Sequence, residues 1–252
     1  MAEQEIAKHT KNIIGLFGRD QQPHASHGWR HKLSEVLLEI VTIVFAVSLS
    51  IWLHSLGEHR HEQEQVRNFL LGLRHDLKRD INALGQIQAS YHQSDSNFSY
   101  LSQLDAHAAP EAEKFEQAYL RADANLFFNP LTSRYQGFKS SGKLGNIEDE
   151  KLMEKLLDLY ENRITQIRFS ENGWSGRQNT YRAYLENELD GDDSLERHYR
   201  LATAPKGRRL LRQQIASQQL YERYAGYAAE AADIVKAIEQ AYPAYVAKDD
   251  QQ

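Results

Sequence analysis

The chain has no cysteine, and only five prolines and 14 glycines occur among its 252 residues. The absence of cysteine excludes disulfides, thiolate catalysis and cysteine-based metal sites, and it leaves the redox compartment undecided. Few prolines and glycines, in a chain rich in Ala, Leu, Gln, Glu and Arg, favour long helices. An excess of positive charge is also missing, since the formal net charge is -5. We therefore expect no nucleic-acid partner, because such binders normally carry a basic domain or stripe.

One long apolar run interrupts this polar sequence, and residues 36 to 53 read VLLEIVTIVFAVSLSIWL. A helix of this length rises about 27 Å, close to the roughly 30 Å of bilayer hydrocarbon. A cleaved signal peptide is one alternative, but the preceding 35 residues are too long and too mixed in charge for it. A buried helix of a soluble domain is the other, although few such helices are apolar on every face. We predict a retained transmembrane helix over residues 33–56.

This span divides the chain and suggests its topology. The 20 residues before the span carry three Lys or Arg, and the 20 after it carry two, a small bias toward a cytoplasmic N-terminus. We therefore predict a single-pass protein of the cell inner membrane with its N-terminus in the cytoplasm and its C-terminal domain in the periplasm. The predicted parts are an N-terminal tail (1–32), the transmembrane helix (33–56), a helical stalk and bundle (57–245) and a C-terminal tail (246–252).

The remainder of the chain has the periodicity of helices. Apolar residues three or four apart from Val66 to Leu101 predict one long amphipathic helix that continues the span as a stalk. The stretch from Val66 to Leu84 would be exposed unless a second copy or the chain's own helices covered it. The predicted fold class is all-α, in which the transmembrane helix continues into an antiparallel four-helix bundle. The other helices are predicted over 111–127 (broken at Asn129-Pro130, then resuming to about Ser141), 148–189, 194–202 and 205–242.

Two patches of the sequence carry a resemblance to a known family. The first is Leu38-Glu39-Ile40 at the start of the apolar run, followed later by Arg74-His75-Asp76-Leu77. The second is YQGFKSSGKLG at residues 135–145, followed by LLDLY at residues 156–160. Together they resemble an uncharacterised bacterial single-pass membrane-anchored family, a domain of unknown function with a central LKSSG segment. The resemblance implies a membrane-anchored helical architecture and brings no activity with it.

A polar interruption in the third predicted helix is the strongest candidate for an interior site. Met153, Tyr160, Ile167, Trp174 and Tyr181 repeat every seven residues, with a second apolar row beside them that includes Leu157. Glu171 and Gln178 interrupt this second row next to Trp174. Because buried polar groups need partners, the layer could hold a ligand, or pair with an Arg or Tyr of another helix, or be an exposed face. The candidate interior polar layer is Glu171, Trp174 and Gln178.

The predicted span contains polar side chains that lipid cannot satisfy. Glu39 lies about one turn inside, where it can reach the interface, become protonated or face a neighbouring helix. Small Ala46 lies on nearly the same helical face as Glu39, which would allow a like helix to approach closely. We therefore expect a homo-oligomer or another membrane protein as the partner, besides the lipid bilayer itself. The candidate contact residues in the span are Glu39, Thr42, Ser48 and Ser50.

Two further clusters have weaker patterns. Three histidines are spaced three and four residues apart, so they would share one face of a helix, and such a set can hold a transition metal. Pro23 and Gly28, however, disfavour a helix there, and no nearby carboxylate completes the set. We therefore expect no metal and no cofactor. A cluster of basic residues suits an acidic partner or a solvated face. The histidines are His24, His27 and His31, and the basic cluster is Lys206, Arg208, Arg209 and Arg212.

These observations leave three classes of function. Catalysis needs a convergent set of titratable groups, and the sequence has no nucleotide-binding loop, nucleophile elbow or di-iron Glu-x-x-His pair, so we predict that the protein is not an enzyme. A small-molecule sensor or ligand-binding bundle outside the cytoplasm is the alternative hypothesis. The N-terminal tail is short for a signalling domain, which favours the main prediction of a membrane-anchored scaffold or assembly protein, a homo-oligomer or an accessory subunit of a membrane complex.

Overall fold

The computed structural model describes residues 29–108, 111–122 and 127–249, and this part of the chain is helical, with connecting segments and no strand. The all-α class is thereby confirmed. A 3₁₀ turn spans Lys143–Asn146, and a π-helical turn spans Asp158–Arg163. The helices are α1 (Trp29–Ser102), α2 (Ala112–Ala122), α3 (Ser133–Ser140), α4 (Glu150–Leu157), α5 (Ile164–Leu189), α6 (Leu195–Thr203), α7 (Pro205–Gln214), α8 (Gln218–Ala241) and α9 (Pro243–Asp249).

Helix α1 contains the apolar run. From Val36 onward it includes an 18-residue window with a mean hydropathy of 2.4, none of which is buried. The large apolar side chains from Val36 to Leu53 are between 42% and 70% exposed. By length and composition, this helix could span a membrane. The chain divides into two units between Glu58 and His59.

The second unit has a continuous apolar core. Helix α1 contributes Val66, Leu70, Leu73, Leu77 and Leu84, all of them almost completely buried. The unit's other helices supply the rest of the core, including Leu156, Ile167 and Ile234. The stripe of α1 from Val66 to Leu84 is thus covered by the chain's own domain, so it gives no reason for a second copy to cover it.

The third predicted helix extends from Glu150 to Leu189, interrupted by the π-helical turn. Asp149 caps its N-terminus, because its Oδ1 accepts a hydrogen bond from the Leu152 backbone N–H at 3.1 Å. The turn changes which residues face inward: Leu152 and Leu156 are buried before it, whereas Leu157 is exposed. The seven-residue repeat therefore holds only after the turn, and the inward position predicted for Leu157 is wrong. A π turn accommodates an extra residue and shifts the helical phase that precedes it.

Two other helix predictions are corrected. Phe127 is not helical: α2 ends at Ala122, and residues 127–132 are non-helical before α3 begins. The last predicted helix is two helices, α7 and α8, separated at residues 215–217. No glycine or proline stands at this break. It is stabilised by tertiary contacts to Asp95, Trp174 and Arg177, and by Ser217, whose hydroxyl caps α8.

Candidate functional site

Glu171 lies in the interior of the second unit, on α5. Its Oε1 accepts one hydrogen bond from the Phe128 backbone N–H at 2.8 Å and another from the Tyr224 hydroxyl at 2.7 Å. The carboxyl group therefore links three parts of the fold: α5, the non-helical segment before α3, and α8. The sequence left open whether Glu171 binds a ligand, pairs with another helix or is exposed. In the structure it is hydrogen-bonded to a tyrosine of another helix.

Two more carboxylates repeat this arrangement. Asp80 of α1 accepts from the Leu131 backbone N–H at 3.1 Å and from the Tyr227 hydroxyl at 2.9 Å. Asp95, also of α1, accepts from the Ala216 backbone N–H at 2.7 Å and from a tyrosine hydroxyl of α8 at 2.7 Å. Each carboxylate thus fixes one non-helical segment and one tyrosine of α8. The three tyrosine–carboxylate pairs are Tyr221 with Asp95, Tyr224 with Glu171 and Tyr227 with Asp80.

The spacing of the tyrosines explains why one helix serves all three carboxylates. Tyr221, Tyr224 and Tyr227 are three residues apart, so they lie along one side of α8. Sequence reasoning found Glu171 but missed Asp80 and Asp95, which belong to a long helix with many charged residues. The signal that could have found them is this tyrosine spacing, because buried phenols need hydrogen-bond partners.

Burial controls the ionisation of these three carboxyls. Desolvation raises the pKa of Glu171, Asp80 and Asp95 above their ordinary values, and the donated hydrogen bonds of the backbone and tyrosine partners oppose that rise. A hydrogen bond to the charged form stabilises it, whereas loss of water destabilises it. Each pair therefore combines a solvation cost with a fixed geometry, which is typical of groups that specify one packing arrangement.

Trp174 and Gln178, the other members of the predicted layer, lie one and two turns beyond Glu171. The Trp174 indole N–H donates to the Gln214 backbone carbonyl at 2.7 Å, and its ring packs edge-on against Tyr91 with centroids 4.9 Å apart. The side chain of Gln178 is buried. The structure therefore places all three predicted residues in the interior, although Trp174 serves to hold the end of α7 and only Gln178 reaches the cavity described next.

A cavity of about 110 Å³ lies at the junction of α1, α2, α5 and α7. Most of its wall is apolar, contributed by aromatic rings and leucines, and a few amide and hydroxyl groups interrupt it. Ligand sites in proteins commonly have this composition, an apolar wall with a small number of placed polar groups. Among the residues that line it are Phe98, Leu101, Gln178, Tyr181, Leu211 and Gln214.

The polar residues of the predicted span lie on its exposed surface. The Thr42 hydroxyl donates to the Leu38 carbonyl at 2.8 Å, so it is satisfied within its own helix. Glu39, Ser48 and Ser50 are exposed along the apolar segment. The structure thus leaves Glu39 and the two serines, rather than Thr42, as the groups that a neighbouring helix would contact.

The basic cluster does not form one convergent site. Lys206 lies 4.0 Å from Glu188 and over the Tyr184 ring, while Arg208 is half-buried. Arg212 donates to the Arg208 carbonyl of its own helix. Lys206, Arg209 and Arg212 are the exposed members of the cluster, and Lys206 is the one of the three with a nearby carboxylate.

The histidine set gives no metal site that the structure can describe. His24 and His27 lie outside the described residues, and for His31 only the helical backbone is described. Among the described residues, no group of three or more His, Asp or Glu side chains is placed to hold a metal ion.

Within the residues that the structure describes, the apolar segment and the buried core define an all-helical protein with one helix that could span a membrane. A family model for a family of unknown function, DUF6090, matches residues 35–181, more than half of the chain. The chain belongs to this family, and the resemblance found in the sequence is confirmed at that level. No curated protein and no solved structure matches the chain.

Proposed function

We propose that the chain is a single-pass membrane-anchored helical scaffold or assembly protein, present as a homo-oligomer or as an accessory subunit of a membrane complex. The observation that carries this proposal is the exposed apolar surface of α1 from Val36 to Leu53. Such a surface needs lipid or another helix to cover it. Glu39 lies within it, and a carboxyl group in hydrocarbon favours a polar neighbour.

The interior of the second unit supports a structural role over a catalytic one. Asp80, Asp95 and Glu171 already accept hydrogen bonds from a tyrosine and from a backbone N–H. Carboxylates committed in this way fix the positions of helices and segments. A general acid or base must instead reach a substrate proton. The proposal also includes an antiparallel four-helix arrangement of long helices that pack along a coiled-coil-like seam. The order of the helices and their shared apolar core support it.

The homo-oligomer is tested by measuring the mass of the full chain in nanodiscs. We expect two or more copies per particle, and we expect Glu39→Leu to shift the population toward one copy because it removes a polar contact between helices. Thr42→Val is the matched control and should leave the mass unchanged, since the Thr42 hydroxyl is satisfied within its own helix. Particles that hold a single copy for the wild type and for both variants would rule out the homo-oligomer and leave a different membrane protein as partner.

The proposed topology places the C-terminal domain in the periplasm of a bacterial cell, with the N-terminus in the cytoplasm. The small excess of basic residues before the span supports it. A reporter that is active only outside the cytoplasm, fused after Gln252, should be active, and the same reporter fused before the span should be silent. The reverse pattern would invert the topology.

A small-molecule sensor is the second candidate function, and the observation that favours it is the cavity lined by Gln178, Tyr181 and Gln214. In this case the domain would bind a small molecule, and the change caused by binding would be passed to the protein that contacts the span. This candidate differs from the scaffold by its requirement for a ligand, so binding measurements separate the two.

A further inference from the structure

Tyr181 and Gln214, which both line the cavity, each have a buried polar atom with no hydrogen-bond partner among the described residues. These atoms are the Tyr181 hydroxyl oxygen and the Gln214 side-chain carbonyl oxygen, Oε1. Tyr181 is only 8% exposed and Gln214 only 1%. More than nine in ten buried polar groups in native proteins are paired, so exceptions among the residues that line one cavity need an explanation.

The chemical roles of the two atoms are fixed by their surroundings. The Gln214 side-chain N–H group donates to the Arg177 and Leu210 carbonyls, both at 3.1 Å. This leaves Oε1 as the end of the amide that can only accept. Burial raises the pKa of the Tyr181 phenol, so the hydroxyl stays protonated and can donate. These two atoms therefore supply one donor and one acceptor.

We propose that this cavity is a binding site for a small neutral alcohol, whose single hydroxyl accepts a hydrogen bond from Tyr181 and donates one to Gln214. The apolar body of the ligand would pack against Phe98, Leu101 and Leu211, which line the same cavity. This inference deepens the sensor candidate by naming its ligand class, and it is independent of the scaffold proposal.

The size of the cavity and its uncharged polar groups restrict which ligands it can bind. An apolar cavity of about 150 Å³ accommodates benzene, so a cavity of about 110 Å³ suits a ligand of roughly four to six non-hydrogen atoms. An anionic carboxylate would have no proton to give to Gln214 and would leave that oxygen unsatisfied. Arg182 also lines the cavity, but it already has an interaction within the protein.

The test is a titration of the full chain in nanodiscs with 1-butanol, followed through the ¹³C-labelled methyl groups of Leu211 and Leu101. We expect saturable shifts of these resonances. The first control is 1-chlorobutane, which has the same carbon chain and no hydroxyl, and it should bind about ten-fold more weakly because it leaves both wall atoms unpaired. Butyrate, the anionic control, should bind at least as weakly as 1-chlorobutane.

Two variants make the assignment specific. Tyr181→Phe should weaken 1-butanol by part of the ten-fold difference, since the alcohol can still donate to Gln214, and it should leave 1-chlorobutane unchanged. The comparison of the two probes cancels any partition into lipid. Leu185→Phe, which fills the cavity from its half-buried rim, should abolish the saturable shifts for both probes. Any of three results would overturn the proposal: equal affinity of the wild type for 1-butanol and 1-chlorobutane, stronger binding of butyrate, or shifts that persist in Leu185→Phe. None of them depends on the number of copies per nanodisc, so this test is separate from that of the homo-oligomer.

Discussion

Replacing Gly207 by alanine is expected to lower the free energy of unfolding by about 3 kcal/mol, because the new methyl group would overlap the backbone of α6. A Cβ at position 207 would lie 1.9 Å from the Leu201 carbonyl oxygen and 3.1 Å from the Ala202 carbonyl oxygen. The Leu201 oxygen also accepts a hydrogen bond from the Tyr184 hydroxyl at 3.2 Å. It therefore cannot turn away from the methyl group without breaking that bond, and α6 and α7 must separate.

The matched control is Gly176→Ala in α5. A Cβ at position 176 would meet nothing within 4 Å, so alanine should raise the free energy of unfolding by roughly 0.5–1 kcal/mol through its better helix propensity. Urea denaturation of the detergent-solubilised chain, followed by near-ultraviolet circular dichroism of its tyrosines, measures both changes. Similar stabilities for the two variants would show that the contact between α6 and α7 is looser than the structure has it.

Replacing Glu239 by glutamine is expected to lower the free energy of unfolding at pH 7 by about 2–3 kcal/mol, because it removes the carboxylate that faces a buried guanidinium. Arg74 is 1% exposed, and its Nε lies 2.9 Å from Glu239 Oε1, to which Lys78 also donates at 2.7 Å. The Glu239 side chain is 35% exposed, so solvent screening keeps the loss below that of a fully buried pair. Asp233→Asn is the control: it breaks the exposed pair with Lys155 and should cost less than about 0.5 kcal/mol.

Glu171→Gln should change the free energy of unfolding in the opposite direction and raise it at pH 7. Hydrogen bonds from Lys78 and Arg74 hold the pKa of Glu239 below its ordinary 4.5, whereas burial raises the pKa of Glu171 above the same value. A carboxyl with a lowered folded-state pKa stabilises the fold above its unfolded pKa, and that stability is lost as the pH falls through the folded pKa. A carboxyl with a raised pKa destabilises the fold as the pH rises from 4.5 through its folded value, because the unfolded chain ionises first.

The stabilities of Glu239→Gln and Glu171→Gln should therefore differ most at neutral pH, and both should approach the stability of the wild type in acid. At pH 7, Glu239→Gln should be less stable than the wild type and Glu171→Gln more stable, since the glutamine oxygen can still accept from Phe128 and Tyr224. Below about pH 4 both differences should shrink. Glu171 is then protonated in the folded and the unfolded chain, whereas Glu239 is protonated first in the unfolded chain and at still lower pH in the folded one. Denaturation curves at a series of pH values provide the check. A Glu171→Gln variant that is less stable at pH 7 would mean that its charged hydrogen bonds outweigh its desolvation.

Much of the fold could be predicted from periodicity alone. The apolar run, the long helix through Leu101 and the end of the third helix at Leu189 all follow from spacings of three and four residues, which tertiary contacts reinforce. The break at residues 215–217 could not be predicted, because no glycine or proline marks it. It exists because Asp95, Trp174 and Arg177 bind the backbone there, and these residues are distant in the sequence.

The site was partly predictable for a similar reason. Glu171 and Gln178 were visible because each interrupts a repeating apolar row. Asp80 and Asp95 belong to a helix with many charged residues, where one inward carboxylate looks like its solvated neighbours. The π-helical turn could not be predicted either, since Leu157 fits the seven-residue repeat and Leu156 does not, yet packing buries Leu156 and exposes Leu157.

The three tyrosine–carboxylate pairs also bear on where the folding unit ends. The family match stops at residue 181, and all three carboxylates lie before that position. Their tyrosine partners, by contrast, come from α8 (Gln218–Ala241), beyond the match. A chain cut at the family boundary would therefore expose Asp80 and Glu171 to a core without their hydroxyl donors. The buried core of this chain thus extends beyond the residues that the family model matches, and α8 supplies the hydroxyl donors for three carboxylates inside the match.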